Sequence, residues 1–379
     1  MKIAILGTRG IPNYYGGFEQ FAEYLSHGLA QRGHEVTVYN SHTHPYKDKE
    51  WNGVKIIHCY DPEDRWGTKG QFIYDFNCIL DTRRRNYDII LQLGYTSNSI
   101  WNWLLPKKRS VISTNMDGLE WRRTKYSRPV QRFLRFAEKL AVRSSDFLVS
   151  DSIGIQQYLF AKYQVESVYI PYGANLFSRP DLSIINKYLM FPYRYNMLVA
   201  RLEPENSIEV ILDGVVESEQ FMPFLIVGNH RTRYGHYLKT KYKKHRFIRF
   251  LGGIYDINEL NNLRYFSNLY FHGHTVGGTN PSLLEAMASQ ALICAHHNVF
   301  NQSILGDDGF YFETSEQVSR LLQDEAKPVH RRMIEVNTRK IETIYSWPVI
   351  IGQYIAHFED ALKKKEIEYD YFPARAGKI

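Results

Sequence analysis

Cysteine is scarce in this chain of 379 residues: only Cys59, Cys78 and Cys294 occur, far apart in sequence. Odd in number and without paired spacing, they exclude a disulfide framework and a readable zinc or redox motif. They fit a reducing compartment and are expected to fill cores. Long hydrophobic runs are also missing. No stretch of about 18 apolar residues offers a membrane span, and the opening "MKIAILGTRG" is too short for the apolar core of a secretion signal. It reads as a buried strand, and export is not expected. Short-period repeats and low-complexity tracts are absent as well. What remains is ordinary globular composition, 44% hydrophobic and 23% charged, at a length that admits two domains, each with its own core.

One segment nearly lacks acidic residues. Between Trp121 and Arg143, "WRRTKYSRPVQRFLRFAEKLAVR" holds eight basic residues against Glu138 alone, so its net +7 equals the net charge of the whole chain. Val130, Phe133, Leu134, Ala137, Leu140 and Ala141 recur at helical spacing, leaving Arg132, Arg135, Lys139 and Arg143 to the polar side. Such a basic amphipathic helix is either a solvated face over a core or a dock for anionic lipid or a phosphorylated acceptor. No nucleic-acid motif accompanies it, so a nucleic-acid partner is not expected.

Short β-rich runs alternate with helical patterns almost throughout, which predicts parallel sheets built from βαβ units. "KIAIL", "EVTVY", "VKIIH", "YDIIL", "SVIS", "DFLVS" and "SVYI" form one open sheet over residues 1–172. "PYGANLFSRPDLSIINKYLMFPYRYN", with three prolines and no clean period, reads as an interdomain linker. "MLVA", "FLIVG", "FIRFL", "LYFHG" and "ALICA" restart the alternation in a second domain over 195–345. The segment 346–379 brings a long helix opening on Trp347-Pro348 and a tail, "EYDYFPARAGKI", expected to be loosely held.

In open parallel sheets ligands sit beyond the carboxyl ends of the strands, where loops enter helices. Three such loops carry chemistry. In "GTRGIPNYYGGFEQFAEYLSHGLAQRG", Gly16 and Gly17 precede a helix, and bare amides at a helix start suit a phosphate, although a tight turn alone would also explain them. A dinucleotide fingerprint is excluded, because Arg9 and Pro12 occupy the positions where it needs glycine. In "LVARLEPENS", Arg201 ends a strand with a planar, permanently charged fork suited to a diphosphate. In "HGHTVGGTNPSLLEAMA", Gly277, Gly278 and Thr279 lead to Asn280, an N-cap, and Pro281, a first helical residue. Glu285 follows about one turn into that helix, where a carboxylate can accept hydroxyl hydrogen bonds from a ribose or simply complement the helix dipole.

With these loops together the chain resembles the family 4 glycosyltransferases of GT-B fold over nearly its full length. "GTRGIPNYYGGFEQFAEYL" is similar to a bacterial subgroup that contains rhamnosyltransferases of polysaccharide assembly. The resemblance implies two Rossmann-like doubly wound parallel-sheet domains facing a cleft, with the last helix crossing back to the first. It places the nucleotide-sugar donor mainly on the C-terminal domain and the acceptor on the N-terminal one. It also implies retention of configuration without a metal or other cofactor. The family's arginine falls on Arg201, and the second acid of its paired-glutamate motif, which holds the ribose, falls on Glu285. Two departures lie on the donor side: Gly277 stands where the first glutamate is expected and Asn206 where a lysine is. Because a carboxylate and an ammonium are lost together, a changed grip on the sugar is implied, with the backbone amides of Gly278 and Thr279 replacing the lysine. Of His272 and His274, the second is the candidate for donor contact.

On the acceptor side, "STNMDGLEWRRTKYS" follows the strand "SVIS". Asp117 is the best candidate for touching the acceptor hydroxyl or donor sugar and Glu120 the second, against a turn residue and a surface acid as the plain readings. Arg122, Arg123 and Lys125 link this loop to the basic helix. The expectation is a cytoplasmic glycosyltransferase, peripheral on the inner face of the plasma membrane. It would move a sugar, rhamnose by subgroup resemblance, from a dTDP- or UDP-linked donor to a lipid-linked glycan. A GT-B nucleotide-sugar epimerase and a non-catalytic sugar- or lipid-binding protein are the alternatives.

Overall fold

The computed structural model describes residues 1–14, 16–123 and 126–371. Two compact units emerge among the described residues, the first comprising Met1–Arg122, Tyr126–Pro171 and the last helix from Trp347, the second Tyr172–Ser346 together with Arg123. The expectation for the tail beyond residue 371, and Lys125 in the acceptor loop, lie outside the described residues.

In the first unit the strands are β1 (Lys2–Leu6), β2 (Glu35–Ser41), β3 (Glu50–Trp51), β4 (Val54–Cys59), β5 (Ile89–Leu93), β6 (Val111–Asn115), β7 (Phe147–Ser150) and β8 (Val168–Tyr169). They form one sheet in the order β3-β4-β2-β1-β5-β6-β7-β8, parallel except for β3 against β4. Central strands are apolar on both faces, as expected where helices cover both sides: Ile3, Ile5, Ile89, Leu91 and Ile112 are fully buried.

The second unit contains β9 (Asn196–Val199), β10 (Phe224–Val227), β11 (Ile248–Gly252), β12 (Tyr270–His272), β13 (Ile293–His296) and β14 (Phe310–Phe312). Its sheet is wholly parallel in the order β11-β10-β9-β12-β13-β14. Both sheets are doubly wound. The short strands β3 and β14, of two and three residues, are additions to the sequence reading. Neither is long enough to show an alternation.

The proline-rich stretch expected as a linker folds onto the second unit. The Ala174 N–H donates to the Tyr345 carbonyl and the Phe177 N–H to the Ala288 carbonyl, and Leu182–Asn186 is helical behind an Asp181 cap. Buried Phe177 and Ile185 give this stretch an apolar anchor that its lack of periodicity concealed.

The last helix, Trp347–Tyr371, belongs to the first unit and packs on the helix Gly17–Gln31 and on β6. Trp347 stacks on Tyr24 with ring centroids 4.6 Å apart, and Tyr354 meets Phe21 edge-on. Polar contacts set the register: the Asn115 amide donates to the Tyr354 hydroxyl at 3.2 Å, Ser113 shares a 2.9 Å hydrogen bond with His357, and Lys365 pairs with Asp146 at 3.0 Å. Burial pushes the His357 imidazole down to about 4, so it meets Ser113 as a neutral ring. Among the described residues no helix is long and apolar enough to cross a membrane.

Candidate functional site

In the second unit the strand order reverses between β9 and β12, making a topological switch point, the place where open parallel sheets leave a crevice beyond their carboxyl ends. Arg201 lies two residues past β9 and the loop from Gly273 to Asn280 leaves β12, so the sheet brings these segments side by side. The Arg201 side chain is exposed while its backbone carbonyl is held by the Glu203 N–H at 2.8 Å and the Asn206 side-chain amide at 2.6 Å.

Asn206 is thus a buried structural amide. The Thr275 N–H and hydroxyl both donate to the neighbouring Glu205 carbonyl, at 3.1 and 2.8 Å. A Cβ at Gly273 would come within 2.1 Å of the Asn206 carbonyl oxygen, so only glycine lets the two loops pass this closely. Asn298 and Asn301, from the helix after β13, donate to the His274 carbonyl at 3.0 and 3.2 Å. The loop is pinned from both sides and pre-shaped.

His272 and His274 stack with ring centroids 4.3 Å apart. Desolvation, with the charges of Arg201 and Arg123, pushes His274 down to about 3, and burial with the neighbouring His274 and Arg264 lowers His272 as well. Both rings are neutral at physiological pH. His274, Val276, Gly277, Gly278, Asn280, Phe300 and Asn301 line a recess. Gly277 adopts φ +134, a conformation that favours glycine, and has open space where a Cβ would sit.

The helix Pro281–Ala288 starts as its sequence suggests, with the Asn280 side chain accepting the Ser282 N–H at 3.0 Å and proline in the first turn. Glu285 follows one turn in, but not as an isolated acid. Its carboxylate pairs at 2.8 Å with Arg264, whose side chain is 0% exposed against 21% for Glu285. Sequence reasoning missed Arg264. The available signal was its place on the inward face of Ile257–Phe266, beside Leu260 and Leu263.

Other proposed site residues fall in the first unit. Gly16 caps the helix Gly17–Gln31 in extended backbone. The first turn of this helix already holds an internal anion, because buried Glu19 accepts the Arg9 N–H at 2.9 Å. Gly16 and Gly17 belong to the first unit, and Arg201, His274, Gly277, Gly278, Thr279, Asn280 and Glu285 to the second. A second switch point lies between β1 and β5. Here Arg9 makes a two-point ion pair with Glu63 at 2.9 and 2.7 Å, and the Ser97 hydroxyl donates to Asp75 at 2.5 Å. Burial pushes the Asp75 carboxyl up to about 7. Asp117 follows β6 with φ +27, its N–H on the Asn115 side chain at 3.0 Å. It and Glu120 are half-buried.

The basic helix spans Arg128–Ser144, with Arg132, Arg135, Lys139 and Arg143 exposed. Its apolar face differs from the sequence reading. Val130, expected on that face, is 39% exposed, and Glu138 is buried between Leu134 and Ala141 at helical spacing; Phe136, which the spacing leaves off the face, is 54% exposed. Trp121 Nε1, the Tyr158 and Tyr163 hydroxyls and Lys162 Nζ all donate to Glu138, at 3.0, 2.8, 2.6 and 2.8 Å. Outside this hub, the guanidinium groups of Arg135 and Arg122 lie 4.5 and 5.3 Å from the Trp121 ring centre.

Residues 1–175 match a family described as a domain of unknown function, DUF1972. An uncharacterized 42.6 kDa protein in the cps region of Klebsiella pneumoniae is 40% identical over 137 residues, 31% of this chain and 37% of that protein. The match thus spans little more than a third of the length of that curated relative. Among solved structures, sucrose-phosphate synthase from Thermosynechococcus elongatus superposes with a TM-score of 0.77 at 16% identity, covering 96% of this chain and 99% of that one. A glycosyltransferase from Rickettsia africae gives 0.72 at 13%, covering 96% and 98%. Anabaena HepE in complex with UDP and glucose gives 0.71 at 15%, covering 94% and 99%. Two doubly wound parallel-sheet units, matched over almost the whole chain by these glycosyltransferases, make this a GT-B fold.

Proposed function

We propose that the chain is a retaining glycosyltransferase that moves a sugar from a dTDP- or UDP-linked donor to a lipid-linked or saccharide acceptor in cell-surface polysaccharide synthesis. The observation that carries this reading is the convergence of Arg201, the neutral His274 ring and the capped helix start at Asn280 on the switch point of the second sheet. A fixed cation and oriented amides beside a crevice suit a departing diphosphate. UDP and glucose in the structurally similar HepE, and the cps-region location of the Klebsiella relative, support the same class.

Arg201 and the amides of Gly278 and Thr279 hold the diphosphate, and Glu285 accepts a hydrogen bond from the ribose 3′-hydroxyl, which both bases' nucleotides carry. The acceptor oxygen bonds to the anomeric carbon on the face from which the diphosphate leaves, and the departing phosphate oxygen takes the acceptor proton. No metal or protein nucleophile enters this scheme. The protein contributes position and charge. The rhamnosyl donor follows the subgroup resemblance of the first loop; Val276, Phe300 and Gly277 line the recess beside the neutral His274 ring. Asp117, with Glu120, contacts the acceptor hydroxyl or donor sugar, and Arg122 and Arg123 bind acceptor phosphate.

A panel of nucleotide sugars, followed by thermal stabilisation and product analysis with and without a lipid-diphosphate acceptor, tests the reading. Glu285→Ala is expected to weaken donor binding roughly 10- to 100-fold, the range for a hydrogen bond to a charged acceptor. Full affinity in that variant ends the ribose assignment. Donor turnover without any acceptor would indicate an epimerase, and intact donors throughout a purely binding protein.

The basic helix, in this reading, docks the protein on the cytoplasmic face of the plasma membrane, with Phe136 and Val130 exposed among Arg132, Arg135 and Lys139. Neutralising those three cations is expected to weaken binding to anionic vesicles by about 3 kcal/mol, less in high salt. Unchanged sedimentation with vesicles would make the helix a plain solvated face.

A further inference from the structure

The Arg264–Glu285 pair is unequal. Arg264 comes from the helix Ile257–Phe266, has no exposed surface, and reaches Glu285 Oε2 at 2.8 Å from beneath, while the carboxylate keeps a fifth of its side chain in solvent. A second guanidinium nitrogen donates to Asn261 Oδ1 at 3.1 Å, and that oxygen also accepts the Ser289 hydroxyl at 3.0 Å, just past the end of the helix that carries Glu285. The nitrogen that meets Glu285 lies 3.4 Å from Ser282 Oγ, which is 2.9 Å from the Tyr270 hydroxyl. The fork is braced on both sides.

Stability is a poor account of this arrangement. A buried guanidinium whose Nε has no hydrogen-bond partner among the described residues bears a desolvation penalty that a well-packed apolar side chain would avoid. What a buried, planar, braced cation supplies is direction: it holds a carboxylate that a solvated helix surface would leave free among rotamers.

We infer that Arg264 is the positioning residue that aims Glu285 at the ribose 3′-hydroxyl of the nucleoside diphosphate. This rests on the ribose reading of Glu285. Arg264 itself does not touch the nucleotide; it fixes the carboxylate before binding, so that the hydrogen bond forms without ordering a side chain.

The test separates positioning from general structural support by deleting the hydroxyl as well as the side chain. Calorimetric Kd values for UDP and dTDP, each against its 3′-deoxy counterpart, give a hydroxyl penalty for the wild type, Glu285→Ala, Arg264→Met and Arg264→Lys. The wild type is expected to lose about tenfold on removal of the 3′-hydroxyl. Glu285→Ala should lose almost nothing. Arg264→Met, measured well below its own melting temperature, should fall to about threefold or less, and Arg264→Lys, a cation without the planar fork, should lie between. An undiminished penalty in Arg264→Met overturns the inference while leaving the ribose reading intact. If that variant does not fold, an undiminished penalty in Arg264→Lys has the same force. A full penalty in Glu285→Ala, or a wild type that binds neither nucleotide, removes the ribose reading and the inference with it.

Discussion

Replacing Arg201 with alanine is expected to lower sugar transfer more than 100-fold, a loss of about 3 kcal/mol of transition-state stabilisation. The leaving diphosphate gains charge as its bond to the sugar breaks, so a fixed cation at its oxygens acts more strongly on the transition state than on the bound donor. The effect should therefore appear mainly in kcat. Arg201 is exposed and its backbone carbonyl, not its side chain, braces the loop, so truncation should leave the fold within about 0.5 kcal/mol of wild type. Initial-rate kinetics beside a melting curve check both halves. A near-wild-type rate from a folded variant would remove Arg201 from the site. Losing its charge also relieves one cause of the depressed His274 imidazole, but burial is the larger cause and should keep that ring neutral at pH 7.

Glu138→Leu is expected to cost about 3–5 kcal/mol of stability, the usual range when one partner of a buried ion pair is removed. The carboxylate is 1% exposed in its side chain and receives four donors, so its loss leaves the Trp121, Tyr158 and Tyr163 donors without their acceptor. Burial is the largest cause that holds both tyrosine hydroxyls above their ordinary value and it persists without Glu138, so neither compensates by ionising. Lys162 is partly exposed and can return to water, which moderates the penalty. Glu138→Gln, which keeps the size and one carbonyl acceptor, should lose less. Thermal denaturation should show the leucine variant melting on the order of 10 °C below wild type, and tryptophan emission should report the released Trp121. A melting point within about 2 °C of wild type would show that the hub contributes little net stability.

The sheets were legible because apolar strands of four or more residues, separated by helical patterns, leave few topologies once crossovers are right-handed. The helix at Pro281 was legible because caps act within four residues of one another. The apolar face of the basic helix was only partly legible. Periodicity rightly left Phe136 off that face but placed Val130 on it, because it counts side-chain type and not what the neighbouring elements cover. Glu138, in the sequence only the one acid counted against eight bases, is a buried hub in the fold. Asn206 looked like a missing lysine; in the structure its amide braces Arg201 and its carbonyl abuts Gly273.

The sequence by itself determined the two doubly wound sheets, the loops at their carboxyl ends, the capped helix start at Asn280 and the chemical character of Arg201 and Glu285. The tertiary structure alone decided which charges are partnered. Arg264 reaches Glu285 across 21 residues and Lys162 reaches Glu138 across 24, distances over which no local period operates. Periodicity reports which face of an element is apolar, whereas ion pairing and desolvation depend on which faces meet, and that is settled only when the sheet brings separate loops and helices together.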